Sequence, residues 1–141
     1  MNRLSKTFCL AIMITITVMS YPKAAMLSGD QLEADAVINN YFTAQTQGDT
    51  GTIKLLLGGV LLEKRKRLLD NPTYPDHLIG IYSNARIEIT NNVTGNDSIT
   101  IDAVITLNSG ETMNRQYLLK KDPSRGQYTI YSESTPEDLK F

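Results

Sequence analysis

Apolar residues in this chain recur at helical spacing as far as Ser83-Asn84 and at every second position from Ala85 onward. A helix brings every third or fourth side chain to one face, whereas a strand alternates its faces. The change of period therefore predicts a run of helices followed by a run of strands. A sheet with one apolar face has to be covered, and the helices upstream are the available cover.

The helical part reads as four segments. Ser28 to Asp49 forms the longest, opened by the capping-box pair Ser28 and Gln31, with Asp30, Glu33 and Asp35 near the positive end of the helix dipole and Gly48 placed for a left-handed C-terminal cap. Its apolar stripe is Ala34, Val37, Ile38, Tyr41 and Ala44 or Gln45. Asp49 can cap a second helix, Thr50 to Leu57, with Ile53, Leu56 and Leu57 on one face, before Gly58-Gly59 breaks the chain. Val60 to Leu69 is a third, ended by Asp70-Asn71-Pro72, and Tyr74-Pro75-Asp76 opens a fourth that carries Leu78, Ile79 and Tyr82.

The strand part begins with Ala85, Ile87 and Ile89, then a turn-rich NNVTGNDS, then Ile99, Ile101, Ala103, Ile105 and Leu107. Asn108-Ser109-Gly110 makes a hairpin into Thr112 to Lys121, and Asp122 to Gly126 turns into Gln127 to Glu133. Short connections imply an antiparallel meander. The predicted fold class is α+β: N-terminal helices packed on a curved four-stranded antiparallel sheet, a two-layer sandwich with the first helix across the concave face. No strand is read between the second and third helices.

At 141 residues the chain has room for one domain. Arg3 and Lys6 precede the apolar run Phe8 to Met19, and Ser20 to Ala25 is small and polar, which reads as a secretory signal peptide over residues 1–25. The run is short for a membrane span, so no membrane association is expected unless the segment is retained as an anchor. The domain is assigned to residues 26–135 and a loosely held tail to 136–141, and the expected destination is export, periplasmic or secreted. The chain has 14 basic and 15 acidic residues; without Arg3, Lys6 and Lys23 the remaining 11 basic and 15 acidic residues leave a charge of −4, a sign that argues against a nucleic-acid partner. The single cysteine, Cys9, falls in the leader, so the mature domain can form no disulfide.

The helix ending in YFTAQTQGD, with Tyr41, Phe42 and then Gly48-Asp49, the shorter helices bearing LLLGG and a Tyr-Pro turn, and the antiparallel sheet that follows together resemble the nuclear transport factor 2-like superfamily in its cystatin-like α+β form. The resemblance covers roughly Asp30 to Glu133. It implies a pocket between helix and sheet, which in that superfamily serves isomerases, dehydratases and epoxide hydrolases as well as non-enzymatic binding and assembly modules.

An isomerase would need an inward carboxylate, and strand phase supplies none: Asp102 is opposite in phase to Ile101 and Ala103. No catalytic residue is assigned. His77, the single histidine, lacks an orienting carboxylate or a nucleophile, and with no cysteine in the mature domain no metal site and no cofactor are expected. Arg115 is the residue of interest, because one strand register sets it beside Met113, Tyr117 and Leu119 on an apolar face, where a guanidinium needs an acid, solvent or an anionic ligand. The other register turns Leu118 inward and Arg115 outward. Tyr41, Tyr82 and Tyr117 could line the same pocket with their hydroxyl tips, giving Tyr41, Tyr82, Arg115 and Tyr117 as the candidate ligand-binding set. The charged run Glu63 to Arg67 points all round its helix and reads as a solvated face. Asn92-Val93-Thr94 and Asn96-Asp97-Ser98 match glycosylation acceptors within the expected surface turn. The reading that results is an exported, non-enzymatic domain binding a small apolar or anionic ligand or a protein partner. An isomerase or dehydratase is one alternative, and a homodimer formed through an apolar patch around Val104 and Leu118 on the outer sheet face is another.

Overall fold

The computed structural model describes residues 26–134. The assigned leader with Cys9, and the tail over 136–141, lie outside the described residues. The element order is α1 (Gly29–Gln47), α2 (Thr50–Leu56), α3 (Gly59–Leu69), α4 (Tyr74–Tyr82), β1 (Arg86–Thr94), β2 (Ser98–Thr106), β3 (Thr112–Lys121) and β4 (Tyr128–Ser134). The strands pair in the order β1-β2-β3-β4, every pair antiparallel. Helices preceding a meander give the expected α+β sandwich, with α1 packed against β1, β2 and β4 on one face of the sheet.

Both ends of α1 are closed as its sequence requires. Gln31 N–H donates to Ser28 Oγ at 3.2 Å and Ser28 N–H to Gln31 Oε1 at 2.9 Å, while Gly48 takes a left-handed conformation with φ 65°. Asp49 caps α2, accepting from the Thr52 N–H at 3.0 Å. Ala34, Val37, Ile38, Tyr41, Phe42, Ala44 and Gln45 are the buried residues of α1. They face Ile99, Ile101, Ala103 and Ile105 of β2 and Tyr117 and Leu119 of β3, all buried in the same core. Burying each of the larger apolar side chains is worth about 1.5–3 kcal/mol, and this shared core is the main source of stability in a domain that has no cysteine of its own. Among the described residues no helix is long and apolar enough to cross a membrane.

Two departures from simple alternation shape the sheet. Ile89 pairs with Ala103 but Asn91 pairs with Asp102, so Thr90 is an extra residue and the strand changes phase there. The turn read as NNVTGNDS is thereby shortened: its first four residues, Asn91 to Thr94, continue β1. Asn92 is turned toward α1, where its Nδ2 donates to Asp35 Oδ1 at 2.6 Å and to the Gln31 carbonyl at 3.1 Å, and its carbonyl accepts from Gln31 Nε2 at 3.1 Å. Asn92 is thus a polar clasp between β1 and α1, while Asn96 stays exposed in the turn. The second departure lies between β3 and β4. Leu119 pairs with Ile130 but Leu118 pairs with Ser132, leaving Tyr131 unmatched.

The free edge of β4 is partly covered by the chain between α2 and α3. Leu57 makes a parallel bridge to Ile130, and the Gly58 N–H donates to the Ile130 carbonyl at 2.9 Å. Leu57, read as the last face residue of α2, is therefore its C-terminal cap and a contact of the sheet. On the outer sheet face Val104 and Leu118 are half-buried, and that face also carries the Gln116–Asp102 hydrogen bond (2.9 Å).

Candidate functional site: a cleft with two arginines and one glutamate

A cleft of about 340 Å³ opens between α1, α3, α4 and the β3–β4 end of the sheet, lined by Gln45, Arg65, Leu68, Tyr74, Tyr82, Arg115, Glu133 and Ser134. Each wall is placed by a local rule. Gly59 takes φ +54° directly against Tyr131, where a Cβ would come within 2.6 Å of the ring, and this close approach seats the start of α3 on β4. From there Leu61, Arg65 and Leu69 fall on one helix face at a spacing of four, so Arg65 is carried inward with its two leucine neighbours, both buried. The expectation that the whole run Glu63 to Arg67 is solvated is corrected at this position: the Arg65 side chain is 29% exposed and faces the sheet.

Glu133 is the second residue that the sequence reading passes over. Regular alternation from Tyr128 and Ile130 would send Ser132 and Ser134 inward and Glu133 out. The extra residue Tyr131 reverses the phase, so Glu133 pairs with Tyr117 and shares its inward face, with 7% of its side chain exposed. The expectation that no carboxylate faces inward is overturned by this bulge. Asp102 does lie on the outer face, bonded to Gln116 and Asn91.

The carboxylate is held on three sides. Arg65 Nη2 lies 2.9 Å from Glu133 Oε2, and the Tyr41 hydroxyl donates to the same oxygen at 2.9 Å while accepting from Arg65 Nη1 at 2.9 Å. The three groups thus form a closed triangle of charge-assisted hydrogen bonds. Arg115 Nε stands 3.7 Å from Glu133 Oε1, beyond hydrogen-bond length, and its Nη2 faces Met113 Sδ at 3.7 Å. Arg115 is 20% exposed and leaves most of its five N–H donors uncommitted. For Arg65, burial works against the charge but Glu133 outweighs it and holds the guanidinium above its ordinary pKa. Burial, followed by the neighbouring Glu133 charge, pushes the Tyr41 hydroxyl well above the usual tyrosine value.

The four residues singled out from sequence separate into two levels. Tyr82 and Arg115 line the cleft, and the register of β3 is the one that sets Arg115 with Met113, Tyr117 and Leu119. Tyr41 and Tyr117 lie beneath it in the core, their rings edge to face at 6.1 Å, and only the Tyr41 hydroxyl reaches up to the charged groups. His77 is exposed and stacks near Tyr74, with ring centroids 6.0 Å apart. Among the described residues no three His, Cys, Asp or Glu side chains gather in a metal-binding group.

Two buried polar atoms near the cleft have no hydrogen-bond partner among the described residues: Gln45 Oε1 and the Tyr117 hydroxyl. An unmet buried hydroxyl costs about 1–3 kcal/mol. Tyr117→Phe removes it while keeping the ring, so the variant is expected to be more stable than the parent by about 1 kcal/mol at neutral pH by chemical denaturation. The pH dependence follows the same group. Burial, then Glu133, raise the Tyr117 pKa in the folded state, so above the ordinary tyrosine value near pH 10 the unfolded chain releases a proton that the folded chain keeps. Stability is complete below that pH and falls as pH rises through and beyond it, and Tyr117→Phe should shed part of this alkaline loss. A variant less stable than the parent at pH 7 would show that the hydroxyl is satisfied.

No family model matches the chain, and neither does any curated protein. Among solved structures, a SEC-C motif containing protein from Rhodopseudomonas palustris is similar at 12% identity with a TM-score of 0.51, over 71% of this chain and 76% of that one. A de novo designed protein with a curved β-sheet gives 14% identity and a TM-score of 0.49 over 71% and 95%. An NTF2-like protein of unknown function from Cytophaga hutchinsonii gives 11% and 0.41 over 74% and 92%. Identities at this level speak for fold alone, and the two lower scores carry no weight. What this chain shares with the Rhodopseudomonas protein is therefore an arrangement of the backbone, and its chemistry has to be read from its own cleft.

Proposed function

We propose that this chain is an exported, non-enzymatic binding domain of the nuclear transport factor 2-like kind, and that the cleft between its helices and sheet takes a small molecule with an anionic group. One observation carries the reading: two guanidinium groups converge on a single carboxylate in the wall of the cleft, and one of them, Arg115, is only loosely engaged by it. A carboxylate from a ligand would find donors already aimed and partly dehydrated, the condition under which an arginine pair with an acid is strongest. Leu68, Tyr74 and Tyr82 supply an apolar and aromatic body around that polar end, and the cleft volume falls at the lower end of the range for small-molecule sites. The basic, apolar and then small-residue pattern of residues 1–25 supports export.

Benzoate is a suitable probe because it has one anionic group and an aromatic body. NMR titration of the purified protein with benzoate should shift resonances of Gln45, Tyr82 and Arg115. Arg115→Gln should raise the Kd about tenfold while leaving the fold intact, the weakening expected when one charged hydrogen bond worth about 1.4 kcal/mol is lost. An unchanged Kd in that variant would refute the reading.

The isomerase or dehydratase alternative gains one observation, the inward Glu133. Glu133 Oε2 is occupied by Arg65 and Tyr41, while Oε1 accepts no hydrogen bond among the described residues but has the Arg115 guanidinium 3.7 Å away, so a substrate C–H would have to displace a cation to reach it. The arrangement supports anchoring of the arginines over proton abstraction.

A further inference from the structure

Gln45 is 3% exposed, lines the cleft, and has an Oε1 with no partner among the described residues. It occupies a position on the apolar stripe of α1 where leucine or methionine would pack without an unmet polar atom. Oε1 is closed to water where it stands, and a turn of the amide about its broad terminal torsion is what would present this unmet acceptor to a donor in the cleft. We propose, building on the anion-binding reading above, that the ligand carries a hydrogen-bond donor in addition to its anionic group, the anion facing Arg115 and the donor facing Gln45 Oε1. The ligand class is then a small hydroxy acid, or an acid bearing an amide or amine N–H, rather than a plain carboxylic acid. The walls agree with this division. Arg65 and Arg115 are donors only and can recognise the anion, whereas Gln45 Oε1 is an acceptor only and repels it. A site of this kind rejects an analogue lacking the donor, because the buried acceptor is then left unpaired.

The test compares the three hydroxybenzoate isomers with their methoxybenzoate counterparts and with benzoate, each titrated by NMR into the full protein. At least one hydroxy isomer is expected to bind about fivefold more tightly than both benzoate and its own methoxy ether. In Gln45→Met, which keeps the side-chain volume, the ratio of hydroxy-acid to methoxy-acid affinity should fall below about twofold. Equal affinities for hydroxy and methoxy acids would overturn the donor, as would an advantage that survives Gln45→Met. Preference for the methoxy acids would show that Gln45 presents its amide N–H groups instead, and would overturn it too. Benzoate binding that depends on Arg115 but shows no hydroxyl advantage sinks the donor alone, whereas failure of every acid to bind sinks both readings. Should Gln45→Met fail to fold, the hydroxy and methoxy comparison on the parent protein decides the matter unaided.

Discussion

Replacing Glu133 with leucine is expected to lower stability by about 3 kcal/mol, the lower end of the cost of breaking a buried ion pair from one side. The carboxylate is nearly enclosed, and its removal leaves Arg65 and Arg115 facing each other with no intervening negative charge and deprives the Tyr41 hydroxyl of its acceptor. Arg65 and Arg115 retain some contact with solvent, which keeps the loss from growing larger. For a domain of this size the melting temperature should fall by about 12–20 °C. Binding should move the other way: with both guanidinium groups released, benzoate should bind the variant more tightly than it binds the parent. The double variant Glu133→Leu with Arg65→Met should lose less than the sum of the two single losses, because the pair fails as a unit. A loss below about 1 kcal/mol for Glu133→Leu, measured by denaturant unfolding, would show that the triangle is too well solvated to matter.

Glu133 also marks where sequence reasoning reached its limit. The elements set by local chemistry were legible: the Ser28 and Gln31 capping box, the Asp49 cap, the Tyr-Pro start of α4 and the alternation through β2 all lie within a few residues of what they determine. The two bulges were not, because nothing near Thr90 or Tyr131 announces an extra residue. Their positions depend on what the strand meets across the sheet and above it, α1 for Asn92 and α3 for Glu133. One unmatched residue reverses every later side chain in the strand, so the inward carboxylate stayed hidden while Arg115, in the regular β3, could be placed among two alternatives. The buried Tyr117 and Leu119 decide between those alternatives, since turning Leu118 inward would expose both. Arg65 did carry a signal. Leu61, Arg65 and Leu69 repeat at a spacing of four, but the four consecutive cations Lys64 to Arg67 masked it.

Gly48→Ala should be the other costly change, with an expected loss of about 2–3 kcal/mol from two separable sources. The first is conformational: Gly48 has φ +65°, and a residue with a Cβ pays about 1 kcal/mol to hold the left-handed region. The second is an approach between helices. A Cβ at Gly48 would stand 2.7 Å from the Pro75 carbonyl oxygen and 3.1 Å from Ile79 Cδ1, and the backbone atom cannot rotate away as a flexible side chain would. Relief requires α4 to withdraw from the end of α1, which moves Tyr74 and Tyr82 away from Gln45 and widens the cleft, so benzoate affinity should fall with stability. Gly110 separates the two contributions, since it also has a positive φ, +86°, but nothing lies within 4 Å of its Cβ direction. Gly110→Ala should therefore show the conformational cost alone, about 1 kcal/mol, with benzoate binding unchanged. Equal losses in the two variants would mean that the contact between Gly48 and Pro75 does not hold α4 in place, and the walls of the cleft would then need another explanation for their spacing.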